Sequence, residues 1–326
     1  MLGAIAGDII GSRYEARGIK TRDFPLFSGG CTFTDDTVLT VAVADAILTG
    51  KDYTSKFHEY YHKYPRAGFG GSFAKWAKKR LKKPYYSFGN GSAMRVSPVG
   101  WAFDDLETVL GQAEKSAAVT HNHPEGIKGA QAVAAAVFFA RKGADKNQIK
   151  DFTATRFGYD LDEKLEDIRS TYGFDVSCQG SVPQSIIAFL EADGYEDAVR
   201  NAISLGGDAD TMAAIAGGIA EAFYGMSDEI SHQAWSYLDD GIKQVIDRFV
   251  SRFMAFADPG GPDRQWTDKL IGFFRHMPQK KTDFPDPDYS GWDQTEEQYQ
   301  KQQEQWLRQV REQRKNKQAG NGKTKK

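Results

Sequence analysis

The chain has 326 residues, 40% hydrophobic and 26% charged, which supplies a sizeable core and excludes a disordered or membrane-embedded protein. A net charge of −2 hides an asymmetry: nine Lys/Arg against two Glu give residues 301–326 a net +7, so the other 300 residues sum to −9. An acidic body argues against a nucleic-acid groove on the folded part, and two cysteines, Cys31 and Cys178, exclude a disulfide framework or a Cys-based zinc site.

Residues 1–11 are apolar but short, lack a basic leader and contain Asp8, so they read as the start of a buried helix rather than a signal peptide. Ala-rich apolar runs predict buried helices over 37–48, 129–141 and 211–224, the last with a Gly217-Gly218 pair that allows close helix approach. Weaker patterns with polar faces predict helices over 104–118, 163–171, 182–191 and 195–205. Alternating β-branched runs are nearly absent, so the fold class expected is all-α. No run approaches the ~20 apolar residues of a spanning helix, and a reduced, cytoplasmic protein is the expectation.

Composition changes after about residue 256, with turn-rich breaks at 258–262 and at Pro285, Pro287 and Gly291. From Gln294 to Gln318 the chain is dominated by Gln, Glu, Lys and Arg, with Tyr299, Trp306, Leu307 and Val310 on one stripe. This predicts a catalytic domain over 1–290, then over 291–326 a solvated amphipathic helix and disordered basic tail, or alternatively a basic anchor for an acidic partner.

Two acidic clusters each stand before an apolar helix: Thr34-Asp35-Asp36-Thr37 and Asp208-Ala209-Asp210-Thr211. Helix capping explains one acid per helix. It does not explain two acids and a hydroxyl at both. Bringing the clusters together without neutralisation costs several kcal/mol, a cost that hard divalent cations with oxygen ligands remove. A two-metal site and capping alone both stay open on these grounds. The Gly-rich segment Ser87-Phe88-Gly89-Asn90-Gly91-Ser92 departs from the Walker pattern, and reads either as an ordinary turn or as a backbone phosphate cradle. His121 and His123 form an H-x-H with nothing strand-like around it, so a packed, hydrogen-bonded histidine competes with a mononuclear metal hydrolase.

Together these segments resemble the ADP-ribosylglycohydrolase family. The blocks, in order, are Gly7-Asp8-Ile9-Ile10-Gly11-Ser12, Tyr14-Glu15-Ala16, Thr34-Asp35-Asp36-Thr37, Gly68-Phe69-Gly70-Gly71, Gly89-Asn90-Gly91-Ser92-Ala93-Met94-Arg95, Thr120-His121 and Gly206-Gly207-Asp208-Ala209-Asp210-Thr211. They span about two-thirds of the chain. The resemblance implies a compact, single-domain, all-α fold with a central dinuclear cleft for two Mg²⁺ or Mn²⁺ ions. It implies that Thr34, Asp35 and Asp36 form one half of the metal site and Asp208, Asp210 and Thr211 the other. By the same resemblance Glu15 is the acid on a mobile flap, and Phe88 stacks on ADP-ribose. Ser87, Gly89, Asn90, Gly91 and Ser92 hold its phosphates and ribose, His121 touches the ligand, and Gly70 belongs to the same wall.

The activity implied is hydrolysis at C1″ of ADP-ribose attached to a protein or small-molecule acceptor, with arginine-linked protein favoured. O-linked conjugates (serine, O-acetyl-ADP-ribose or nucleic acid) and a catalytically silent ADP-ribose binder are the alternatives, with a His121/His123 amidase and a purely structural helical protein further off. A monomer is expected, with no membrane partner.

Overall fold

The computed structural model describes residues 1–254. Among them, regular structure consists of fourteen α-helices, one 3-10 turn at Asn90–Ser92 and an isolated antiparallel bridge between Gly89 and Ser177. In chain order the helices are α1 (Leu2–Glu15), α2 (Asp35–Thr49), α3 (Tyr53–Lys63), α4 (Gly71–Lys78), α5 (Ser97–Ala102), α6 (Leu106–Ala118) and α7 (Pro124–Arg141). There follow α8 (Lys146–Phe157), α9 (Leu165–Thr171), α10 (Cys178–Leu190), α11 (Tyr195–Ser204), α12 (Ala209–Tyr224), α13 (Asp228–Ser236) and α14 (Asp240–Phe253). The expected all-α class is what forms. The expected boundary at residue 290 and the C-terminal helix lie outside the described residues.

The three Ala-rich runs become α2, α7 and α12, each buried along most of its length, as chains apolar on every side must be. Starts are set by local hydrogen bonds. Asp105, Asp145, Ser177, Ser227 and Asp239 each accept from a backbone N–H of the first turn. Ser177 explains why α10 begins at Cys178 instead of 182: its hydroxyl accepts from Gly180 N at 3.1 Å, starting the helix ahead of Pro183. Helices α3, α4, α5, α8, α13 and α14 had no sequence assignment; they are short or carry broad polar faces, so periodicity alone is weak.

The deepest contact is between α1 and α12, which run antiparallel through small residues. Gly3, Gly7 and Gly11 recur every four residues and form one stripe on α1. They face Gly217, Ala213 and Ala209, spaced the same way along α12 in reverse order. A Cβ on Gly3 would lie 2.6 Å from the Gly217 carbonyl oxygen, and one on Gly11 would lie 2.5 Å from that of Ala209. On Gly7 it would run into the Ala213 carbonyl. This register puts the C-terminal end of α1, with Glu15, beside the N-terminal end of α12, with Asp208 and Asp210.

Replacing Gly7 by Ala is therefore expected to destabilise by about 1–3 kcal/mol or more, because rigid backbone on α12 must move. Gly111→Ala, in the interior of α6 where an added Cβ meets nothing within 4 Å, is expected to stabilise by about 0.5–1 kcal/mol. Urea denaturation of both variants checks the pair.

Candidate functional site

Asp8 sits on α1 one residue past the middle of the glycine stripe and is fully buried. Its two carboxylate oxygens accept from Thr34 N at 2.9 Å, Thr34 Oγ1 at 2.6 Å, Thr37 N at 3.1 Å and the Thr37 hydroxyl. It thus caps the start of α2 from another helix, while Thr34 Oγ1 accepts from Asp36 N at 3.3 Å. With capping supplied by Asp8 and Thr34, the start of α2 does not need both the Asp35 and Asp36 carboxylates as caps. At the other helix start Asp208 occupies the N-cap position of α12 without a side-chain capping bond. Instead its Oδ2 accepts from Asn90 Nδ2 at 2.8 Å.

The acids from the two helices meet. Carboxylate oxygens of Asp8, Asp36 and Asp210 lie within 4.8 Å of one another, and so do those of Glu15, Asp208 and Asp210. Asp210 belongs to both groups. Thr211 Oγ1 donates to Asp36 Oδ2 at 3.3 Å, joining the halves. Asp35, half-buried, points its Oδ1 toward Gly68. Asp36 Oδ1 is buried without a protein hydrogen-bond partner, and a buried carboxylate oxygen in that state asks for a cation or proton.

Electrostatics give the same answer. Burial, then repulsion from Asp8, Asp208 and Glu15, pushes Asp35 up to about 8. Burial also raises Asp36 and Asp210 well above the carboxylate range, with neighbouring carboxylates adding to it. Asp8 rises through burial too, opposed by the hydrogen bonds from Thr34 and Thr37. A donor set of carboxylates and hydroxyls without His or Cys suits hard divalent cations such as Mg²⁺ or Mn²⁺. The residues fit such ions.

The Gly-rich segment forms a wall next to this cluster. Gly89 N donates to Ser87 Oγ at 3.1 Å, and Asn90 N donates to Val176 O at 2.7 Å. Ser92 Oγ donates to Gly126 O at 2.7 Å, and Cys178 N donates to Phe88 O at 2.9 Å. The backbone at Gly89 and Asn90 is thus tied to the chain around residues 176–178, and the Asn90 side chain reaches the acid cluster through Asp208. Phe88 is half-buried, its ring centre 5.4 Å from that of His123. The Gly68–Gly70 segment approaches Asp35 through Gly68, and Gly70 opens α4 in an exposed position.

His121 is buried and shares a 2.8 Å hydrogen bond with Thr120 Oγ1 through Nδ1. Its Nε2 lies 3.1 Å from where a Cβ on Gly91 would be, so it faces the Gly-rich wall. Burial, then the Arg95 charge, lowers its pKa well below the usual value, so the ring is neutral. His123 does different work: Nδ1 accepts from Glu125 N at 3.1 Å, capping α7, and the ring packs edge-on to Tyr86. The two histidines do not form a metal pair, and among the described residues the candidate metal groups contain only carboxylates.

Two residues of the site had no role assigned from sequence. Asp8 lies mid-helix, where only a tertiary partner reveals a function. Arg95 is fully buried, donates to Ser116 O at 2.9 Å and Thr120 Oγ1 at 3.0 Å, and lies 4.3 Å over the Phe57 ring. It holds the hydroxyl that orients His121. Burial lowers its pKa to about 10, leaving it charged near neutrality.

This arrangement has relatives. The family model for ADP-ribosylglycohydrolase matches residues 1–260. The chain is 28% identical over 308 residues to ADP-ribosylhydrolase ARH3 of Gallus gallus, covering 69% of this chain and 84% of the relative. With the Homo sapiens protein of that name it shares 26% over 325 residues, covering 75% and 89%. ADP-ribosylarginine hydrolase Tri1 of Pseudomonas putida is 24% identical over 288 residues, covering 76% and 77%. A solved ADP-ribosylglycohydrolase-related protein complex has the same fold, with a TM-score of 0.58 at 22% identity over 77% of this chain and 96% of that one. The chain belongs to the ADP-ribosylglycohydrolase family and is a glycosidic-bond hydrolase.

Proposed function

We propose that the protein is a metal-dependent ADP-ribosyl-acceptor hydrolase that cleaves the bond at C1″ of the distal ribose and releases ADP-ribose. The observation that carries this reading is the pair of carboxylate groups sharing Asp210, with Glu15 in one and Asp36 in the other. Thr34, Asp35 and Asp36 from α2 and Asp208, Asp210 and Thr211 from α12 would hold two Mg²⁺ or Mn²⁺ ions. When bound, such ions supply alignment of the ribose hydroxyls and a lowered pKa for a nucleophilic water.

The remaining work falls to the chain's own side chains. Glu15 stands at the end of α1, half-buried; Asp8, the other acid outside the paired-Asp blocks, accepts four hydrogen bonds from Thr34 and Thr37, and of the two only Glu15 shares a group with Asp208. In this reading Glu15 moves the proton between the water and the departing acceptor atom, while charge builds on the ribose. Phe88 stacks on the nucleoside side. The Ser87–Ser92 wall, His121 and Gly70 orient ADP-ribose so that C1″ meets Glu15, and orientation alone lowers the barrier substantially.

Arginine-linked protein is the acceptor we favour, in keeping with the name of the Pseudomonas putida relative, an ADP-ribosylarginine hydrolase. The substrate partner is an ADP-ribosylated protein or small conjugate, acted on by a cytoplasmic monomer. No helix among the described residues is long and apolar enough to cross a membrane. Release from arginine-, serine- and O-acetyl-linked substrates, each with Mg²⁺, Mn²⁺ or EDTA, tests the reading. Metal-dependent release from the arginine linkage is expected, release from another linkage alone corrects the acceptor, and binding of ADP-ribose without release from any linkage makes the protein a binder.

Asp36→Ala and Asp208→Ala are expected to lose the metal-dependent rise in Tm and at least 100-fold in rate, on the order expected for lost transition-state stabilisation, with helical circular dichroism retained. Glu15→Gln is expected to keep ADP-ribose affinity, measured by calorimetry, while losing hydrolysis. Equal losses of both would make Glu15 a binding residue.

The raised carboxyls also fix a pH dependence. A carboxyl whose pKa climbs from 3.8 unfolded to about 8 folded, as at Asp35, favours the folded state at low pH, and that advantage is lost as pH rises through this window. Metal-free protein is therefore expected to melt lower at pH 8 than at about pH 5.5. Mg²⁺ should raise Tm more at pH 8, which differential scanning fluorimetry reads directly.

A further inference from the structure

Between Glu15 and Thr34 the chain crosses the surface next to the acid cluster, and one side chain on it ties two helix ends together. Lys20 Nζ donates to Tyr172 O at 2.6 Å and to Leu205 O. Tyr172 is the C-cap of α9 and Leu205 the C-cap of α11. Both carbonyls sit at the negative ends of helices, where an ammonium is favoured. The lysine stem lies along Gly206: a Cβ there would be 3.1 Å from Lys20 Cε and 3.0 Å from Ile19 O. Gly18 closes the fit, since a Cβ on it would be 2.8 Å from Gly206 O, and its own N–H donates to Tyr14 O at 2.8 Å. Two turns are therefore interlocked. One follows Glu15 by a few residues; the other, Gly206-Gly207, runs directly into Asp208.

We propose that Lys20 is a positioning residue that latches the Glu15 turn onto the Asp208 turn and so sets the distance between the two carboxylates. Until cations fill the acid cluster, the need for a latch is electrostatic. Glu15 shares a 4.8 Å cluster with Asp208 and Asp210, and like charges at that range push the end of α1 away from the start of α12. The small-residue contact of α1 with α12 holds the helices together up to Gly11, one turn short of Glu15. Beyond it, the Lys20 ammonium is the cation that bridges the two turns. Arg22 with Asp197, and Arg200 with the carbonyls of Arg22 and Phe24, pin the chain further along to α11, so release of Lys20 frees the segment nearest Glu15 and leaves the rest attached.

The proposal rests on the hydrolase reading, and its test separates the two. Lys20→Met keeps the stem and removes the charge; Lys20→Arg restores a cation. For Lys20→Met, kcat is expected to fall about tenfold or more, with KM changed less than threefold, and the Mg²⁺ concentration for half-maximal rate is expected to rise. Lys20→Arg should recover most of the loss. In a Glu15→Gln background, which does not turn over, Lys20→Met should leave the Mg²⁺ concentration for the half-maximal rise in Tm unchanged, because it acts through Glu15; an equal shift in both backgrounds overturns the latch. Amide hydrogen exchange gives a readout that does not require turnover. Faster exchange over residues 16–21 in Lys20→Met, with Tm within about 2 °C of the parent, is expected. Unchanged exchange there overturns the latch even if the enzyme releases ADP-ribose normally. Absence of release by the parent, with faster exchange in the variant, overturns the hydrolase reading and keeps the latch.

Discussion

The contact between α1 and α12 is the constraint on which the site depends. Three glycines on one helix meet glycine and alanines on the other, so backbone approaches backbone along about two turns. No larger residue fits there without displacing main-chain atoms, and dispersion at such short range holds the pair firmly. Because the helices are antiparallel, their opposite ends bring acids together: Asp8 and Glu15 from the first sixteen residues, Asp208 and Asp210 from more than halfway along the chain. The rest of the helical body, from the Ala-rich α7 to the caps of the short helices, supports that pair.

Concentrating carboxylates in a buried place is unfavourable unless something opposes it. Part of the opposition is local. Asp8 is satisfied by four donors from Thr34 and Thr37, Asp208 accepts from Asn90, and Asp36 accepts from Thr211. These bonds hold oxygens in place without cancelling charge. Burial and the neighbouring carboxylates still push Asp35, Asp36 and Asp210 upward. A site that holds excess negative charge in a rigid frame is already organised for cations, and little reorganisation is needed on binding them.

Much of this was legible in sequence, for physical reasons. Apolar Ala-rich runs without β-branched alternation admit little besides helix, and two acid-rich helix starts carry more charge than capping requires. What periodicity could not give was the partner of each residue. Gly3, Gly7 and Gly11 carry a clear four-residue spacing, yet nothing local says that α12 receives it. Asp8 looks like an oddity in an apolar helix until Thr34 and Thr37, 26 and 29 residues further along the chain, reach it. The tie of Gly89 and Asn90 to residues 176–178 is likewise a long-range pairing, which turns a local-looking loop into a wall. Polar-faced α3, α13 and α14 needed tertiary packing to declare themselves, because their moderate propensity is matched by turn and loop alternatives.

Asn90 stands where two functions touch. Its backbone belongs to the wall that the Gly-rich segment makes, and its side-chain amide holds one oxygen of Asp208. In the proposed function, a ligand seated on the wall and a cation held by the acids would therefore press on a single amide from opposite sides. In thermodynamic terms their binding is reciprocal: if occupancy of one changes affinity for the other by some factor, the reverse effect has the same factor. Under the proposed function, cargo and ion would be counted together at this asparagine, each reporting to the other whether its place is filled.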